Sequence, residues 1–358
     1  MKTEISQFTP WIRPIYALNT TKTIMSSFIG PGKEVEKFEL NILKTIEHSN
    51  EYCIATTSGT VALIMVIKAL ELKPGSTILF PAYTFLAGAN AAKFLGYNIK
   101  LIDIDEDNLC MDPKLVEKEL KEIKNMSAII YVHHNAYDGG TELGDINDLC
   151  IDYNIKLIQD AAQCIDVPIH LYGEMATYSF SVPKIVTTAQ GGAVVTKDEN
   201  IYNKLKQIRD HGDDNWKKTK LHTNLGVNFK FNDILASFGN SQFNHFNEII
   251  KKKDNIFEWY RNHIKIKDFF QERTWMVIYE NSPIIINKVK EQLKLNNIGS
   301  EQYYKPIHWN PPYKTEDSFP IAEKMYERLL YLPSSLTLNK SDVDRICSII
   351  KKVEIENG

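Results

Sequence analysis

Apolar positions in the first half of the chain switch repeatedly between two spacings. From Glu34 to Ile46, Val35, Phe38 and Ile42 recur on one helical face. Glu51–Thr56 is a short apolar, β-prone run, and a helical pattern follows with Val61, Ile64, Ile67 and Leu70 in phase. Pro74-Gly-Ser marks a turn before a strand at Thr77–Phe80. Helices near Phe85–Leu95, Pro113–Ile123 and Leu143–Tyr153 then alternate with strands at Ile99–Ile102, Ala128–Val132 and Ile155–Ile158. Alternation of this kind predicts an α/β domain with a mainly parallel central sheet flanked by helices. The last third has less strand alternation. Helical stretches near Ser282–Asn296, Ile321–Tyr331 and Ser341–Ile355 predict a smaller C-terminal α/β domain. The boundary is expected near residue 245, giving a large domain over 1–245 and a small one over 246–358. A long helical region from about Asn232 to Lys252 is expected to pack at a subunit interface. Pro10-Trp-Ile-Arg-Pro14 is unlike a helix and is expected over a cleft or an interface.

Composition narrows the classes. The 358 residues are 43% apolar and 24% charged, as in an ordinary globular protein. A net charge of −3 offers no basic footprint for nucleic acid. No apolar run approaches the ~18 residues of a membrane span, and the first residues lack the apolar core of a signal peptide. The five cysteines (Cys53, Cys110, Cys150, Cys164 and Cys347) are scattered without a CxxC spacing. Neither a disulfide framework nor a zinc site is expected, and the expected compartment is the reducing cytoplasm.

Candidate chemistry centres on Tyr178-Ser-Phe-Ser-Val-Pro-Lys184, a strand-like run ending in a loop with one lysine, followed by Gly191-Gly192 and a second β-rich run at Ala193–Thr196. A lysine held between two strands suits covalent capture of an aldehyde once its amine is deprotonated, and pyridoxal 5'-phosphate is the common cofactor held that way. Thr57-Ser-Gly-Thr60 stands at a strand-to-helix junction. Its free N–H groups and hydroxyls suit a phosphate, and plain helix capping by Ser58 or Thr57 is the alternative. Asp160 ends a strand, where ligands of open α/β sheets bind. A carboxylate there can keep a pyridine nitrogen protonated, with Gln163 near enough to reach a ring hydroxyl; helix capping is again the alternative. The adjacent His133-His134 pair faces opposite ways on a strand and has no third ligand at useful spacing, so no metal is expected.

Taken in order, Ser58-Gly-Thr60, Pro81-Ala-Tyr-Thr-Phe85, Asp103-Ile-Asp105, Asp160-Ala-Ala-Gln163, Ser179-Phe180 with Lys184, Gly191-Gly192 and Gly226-Val-Asn228 match a known pattern. With His211-Gly212, Asp233-Ile-Leu-Ala236 and Tyr304-Lys-Pro-Ile-His-Trp309, the chain from about Gly30 to Leu336 resembles the DegT-type nucleotide-sugar aminotransferases. The resemblance implies the aspartate-aminotransferase fold (fold type I). It implies Lys184 as the lysine joined to pyridoxal phosphate and as the proton carrier, Asp160 on the ring nitrogen, Gln163 on the ring oxygen and Phe85 stacked on the ring. Ser58, Gly59, Thr60 and Ser179 would hold the phosphate, and Asn228 would reach the phosphate of a neighbouring subunit, so a homodimer with shared sites is implied. L-glutamate is the implied donor, leaving as 2-oxoglutarate, and the acceptor is a nucleotide-linked keto-sugar met by the pyridoxamine form. A 4-keto-6-deoxyhexose is expected, with a 3-keto sugar or a non-catalytic sensor as alternatives. Tyr304 and His308 are expected near the sugar. Departures from the pattern fall on substrate contacts: Ala189-Gln190 before the paired glycines, His133-His-Asn-Ala-Tyr-Asp-Gly-Gly140, and Lys230 where arginine is common.

Overall fold

A computed structural model describes residues 4–212, 220–268 and 274–357. After α1 (Pro14–Met25) and α2 (Lys33–Thr45), the chain lays down β1 (Tyr52–Thr56), α3 (Gly59–Ala69), β2 (Thr77–Pro81), α4 (Ala87–Phe94), β3 (Asn98–Ile102), α5 (Pro113–Glu122), β4 (Met126–Val132), α6 (Gly140–Asp152) and β5 (Lys156–Asp160). Two strands without an intervening helix, β6 (Met175–Ser179) and β7 (Gly192–Thr196), are followed by α7 (Glu199–Arg209). The sheet order is β1-β7-β6-β5-β4-β2-β3. All neighbours pair in parallel except β7, which runs against both β1 and β6. Helices cover both faces, so β2 and β7 are buried at every position. That explains their unbroken apolar character.

The expected 232–252 helix is two helices, α8 (Asp233–Phe243) and α9 (Phe246–Arg261). The chain leaves helical geometry at His245, whose Nδ1 bonds the Ser241 carbonyl across the break (2.8 Å). Beyond them lie β8 (Ile278–Glu280), α10 (Pro283–Leu295), α11 (Pro320–Arg328), β9 (Leu329–Tyr331) and α12 (Lys340–Asn357). The helix expected to run on to Tyr331 therefore stops at Arg328. Leu329-Leu-Tyr331 is fully buried and pairs antiparallel with β8, so tertiary burial overrides the helical spacing. Helix α1 was not legible. It begins at Pro14, directly after the non-helical stretch, and its Thr20, Thr21 and Thr23 hydroxyls bond back to carbonyls within the helix.

Two apolar cores form. One surrounds the seven-stranded sheet. The other gathers α9, α10, α12 and the β8–β9 pair, together with Ile5 from the start of the chain. Distant motifs are joined by capping carboxylates. Asp233 Oδ1 accepts from the N–H groups of Gly32 (2.9 Å) and Val35 (3.0 Å), which fixes the start of α2. Asp103 accepts from Ile321 and Ala322 (both 2.9 Å), seating α11 on the end of β3. Lys253 and Asp166 form a fully buried ion pair between the two parts. No helix among the described residues is long and apolar enough to cross a membrane.

Candidate active site

The carboxyl ends of β1, β5 and β6 open into one cleft of about 360 Å³. Strand register sets its floor. Gly192 pairs with Thr56 on one side and Ser179 on the other, so three backbones meet beneath the start of α3. The packing leaves no room for a Cβ: one built on Gly192 would lie 2.3 Å from the Ser58 carbonyl oxygen, and one on Gly59 would lie 2.9 Å from Ser179 Cβ. Ser58 is the N-cap of α3, its Oγ accepting from Val61 N–H (3.2 Å). The remaining N–H groups of that first turn and the Ser179 hydroxyl border the cleft beside Thr60.

Asp160 stands at the end of β5, 8% exposed, with Oδ1 accepting from Ala162 N–H (3.1 Å). Burial pushes its pKa up, while the facing Lys184 charge pulls it down. Lys184 projects from the loop after β6, where its N–H closes a turn on Ser181 (3.0 Å). Burial lowers its amine to about 8, against the opposing pull of Asp160 and then Cys164. Gln163 Nε2 meets the Tyr304 hydroxyl at 3.1 Å, while its Oε1 is buried without a partner. Phe85 is 61% exposed at the mouth, its ring centroid 5.7 Å from that of Tyr304.

Nine of the eleven residues expected at the site thus line one cleft: Ser58, Gly59, Thr60, Phe85, Asp160, Gln163, Ser179, Lys184 and Tyr304. Two do not. Asn228 is exposed outside it, bridged through its backbone to Asp210. His308 is buried behind it, bonded to Glu323 (2.8 Å) and packed on Phe319 with centroids 4.8 Å apart. Its short 3-10 helix turns the His308 ring into the packing around α11 and away from the lining of the cleft. Reading the sequence also missed several walls of the cleft. Phe8 and Trp275, at positions that carry no local motif, form an aromatic side together with Tyr303, the neighbour of the expected Tyr304. Phe8 lies just before the Pro10–Pro14 stretch, and this opening part of the chain is fastened to the late chain by Thr9 N–H on Ser335 Oγ (2.8 Å) and by pairing of Ile5 with Ile298.

His133 borders the cleft as a neutral ring. Burial lowers it to about 4, its Nε2 accepts from Gln159 (3.0 Å), and its Nδ1–H therefore donates to the Tyr137 carbonyl (2.8 Å). His134 turns away to the Tyr331 hydroxyl (2.7 Å). No group of three metal-ligating side chains occurs among the described residues.

A cleft with a lowered lysine, a buried strand-end carboxylate, an unsatisfied amide oxygen and a cradle under a helix start fits a phosphorylated pyridine aldehyde. A family match places the chain among the pyridoxal-phosphate-dependent aminotransferases. Residues 16–351 match the DegT/DnrJ/EryC1/StrS aminotransferase family, and the chain belongs to that family. Among its relatives, UDP-4-amino-4,6-dideoxy-N-acetyl-beta-L-altrosamine transaminase of Campylobacter jejuni is 27% identical, over 93% of this chain and 94% of that protein. GDP-perosamine synthase of Escherichia coli O157:H7 is 26% identical over 90% of both. A putative sugar aminotransferase of Streptococcus pneumoniae, solved in its PMP form, has the same fold at a TM-score of 0.90, with 21% identity over 99% of this chain and 98% of that one.

Proposed function

We propose that this aminotransferase moves an amino group from L-glutamate to a nucleotide-linked 4-keto-6-deoxyhexose, releasing 2-oxoglutarate and a nucleotide-linked amino sugar. The observation that carries the reading is that Lys184, its amine lowered by burial, and the buried Asp160 carboxylate line one cleft bordered by the start of α3. The choice of a 4-keto sugar is supported by the names of the relatives, which include a dTDP-4-dehydro-2,3,6-trideoxy-D-glucose 4-aminotransferase.

Bound pyridoxal phosphate supplies an aldehyde and an electron-withdrawing ring. Asp160 holds the ring nitrogen protonated, and its burial strengthens that contact. Gln163, by turning its amide, would donate from Nε2 to the ring oxygen while its now free Oε1 accepts from the Tyr304 hydroxyl. Gly59, Thr60 and Ser179, with Ser58 capping α3, hold the phosphate. Phe85 covers the ring face from the mouth. Lys184 Nζ would be the group that takes up and returns a proton at the reacting carbons, which an amine near pKa 8 can do at neutral pH. Asn228, on the outer surface, serves the phosphate of a second subunit, so the active unit is a homodimer; the site of action is the cytoplasm.

The test is the visible absorbance of the holoenzyme. L-glutamate should bleach the band, and a nucleotide-linked 4-keto sugar should restore it. Restoration by 3-keto sugars alone would move the assignment to that class, and a band that no amino donor bleaches would sink it.

A further inference from the structure

Trp275 has no place in the roles above, yet it lies closest to their centre. The Lys184 Nζ atom sits over its indole ring, 4.4 Å from the centroid. That ring is fixed on three sides. Its Nε1–H donates to the carbonyl of Pro183, the residue before Lys184 (3.3 Å), its own backbone N–H donates to Asn135 (3.0 Å), and its face is stacked on Phe8 at 6.2 Å and 24°. Trp275 is buried, so the π-face meets the amine with little water to screen it.

We infer that Trp275 is a positioning residue that receives the Lys184 amine whenever that amine is not joined to the cofactor. The inference rests on the reading of Lys184 as the cofactor-binding lysine. Its logic is chemical. A lysine that must take up and return a proton needs a resting place that tolerates the ammonium form without locking it. A second carboxylate would hold the charge too firmly, and an aliphatic wall would expel it. An aromatic face stabilises the cation moderately and offers no acceptor for a strong hydrogen bond. The bond from the indole to the Pro183 carbonyl ties the ring to the same loop as the lysine, so the two move together. The other titratable groups around the amine are Asp160, Cys164, His133, Tyr303 and Tyr304. Asp160 is the one whose charge faces the ammonium most strongly. The His133 ring is neutral above about pH 4.

Cofactor-free full-length protein is mixed with pyridoxal 5'-phosphate across pH 6 to 10, and the rate of covalent capture is followed by absorbance. Capture needs the neutral amine, so its rate rises with pH through the Lys184 titration. Without the indole face the ammonium loses support and the midpoint falls. Trp275→Leu should lower it by roughly half to one pH unit, given the strength of a partly desolvated cation–π contact. Trp275→Phe, which keeps an aromatic face, should lose less than half as much. Equal shifts in the two variants, an unmoved midpoint or an upward shift would each overturn the role of Trp275. Borohydride reduction and peptide mass analysis of the wild-type adduct separate the two readings. Label on Lys184 with an unmoved midpoint removes only Trp275, whereas label on another lysine removes the reading of Lys184 and the inference with it.

Discussion

One wall of the cleft comes from the strand ends of a single sheet, and the opposite wall is assembled from both ends of the chain. Ser58–Thr60, Asp160, Gln163, Ser179 and Lys184 sit on turns that leave β1, β5 and β6, so main-chain pairing sets their positions. Phe8, Trp275, Tyr303 and Tyr304 are brought together by side-chain packing: Phe8 lies against both Trp275 and Tyr303, and Tyr83 donates its hydroxyl to the Tyr303 carbonyl. The sheet wall carries Lys184 and Asp160, the start of α3 and the Ser179 hydroxyl. The packed wall is aromatic, and it is tied to the sheet wall by hydrogen bonds between Gln163 and Tyr304 and from the Trp275 indole to the Pro183 carbonyl. Geometry fixed by backbone ladders tolerates little change, whereas a wall built by packing can be exchanged without disturbing the ladder.

Substitutions on the sheet wall should therefore cost most. Lys184→Ala should abolish covalent capture of pyridoxal phosphate and lower transamination by about a thousandfold or more, measured by absorbance and coupled turnover. Asp160→Asn should leave capture intact and slow the glutamate half-reaction by ~10²-fold or more, because a neutral amide cannot hold a ring nitrogen protonated; a single-turnover assay reads this directly. Gly192→Ala places a Cβ against Ser58 and Gly59. It should weaken cofactor affinity more than tenfold and destabilise the fold by about 1–3 kcal/mol, seen by equilibrium titration and urea unfolding. On the packed wall, Tyr304→Phe removes only the hydroxyl facing Gln163. The expected loss is about 1 kcal/mol, or up to tenfold in the glutamate half-reaction, with unchanged unfolding. Should Tyr304→Phe cost as much as Asp160→Asn, the division between the walls fails.

The same division decided what the sequence could tell. Strand-end residues come in short runs, such as Asp160-Ala-Ala-Gln163, whose order and spacing survive in a linear reading. The seven-stranded sheet was legible because helix and strand spacings alternate cleanly up to Asp160. Trp275 was not, since nothing around Thr274-Trp-Met announces that the ring meets a lysine ninety residues earlier. The place of His308 was not legible either, since only its packing on Phe319 and its bond to Glu323 show where it points. The break at His245 and the strand at Leu329–Tyr331 were hidden for a related reason: each depends on which neighbour a helix-compatible run meets.

The one strand that runs antiparallel in the seven-stranded sheet has a bearing on synthesis. Because β7 lies between β1 and β6, residues 52–56 have no partner in the sheet until residues 192–196 leave the ribosome. Ile5 waits longer still, for Ile298. The edge of β1 is thus exposed during most of elongation, and closing so long a loop is slow as well as entropically costly. A nascent chain that stops before β7 can complete the strands that bear Asp160 and Ser179 but not the cradle beneath α3, so that cradle is a late event in the folding of the sheet and a point where chaperones have time to act.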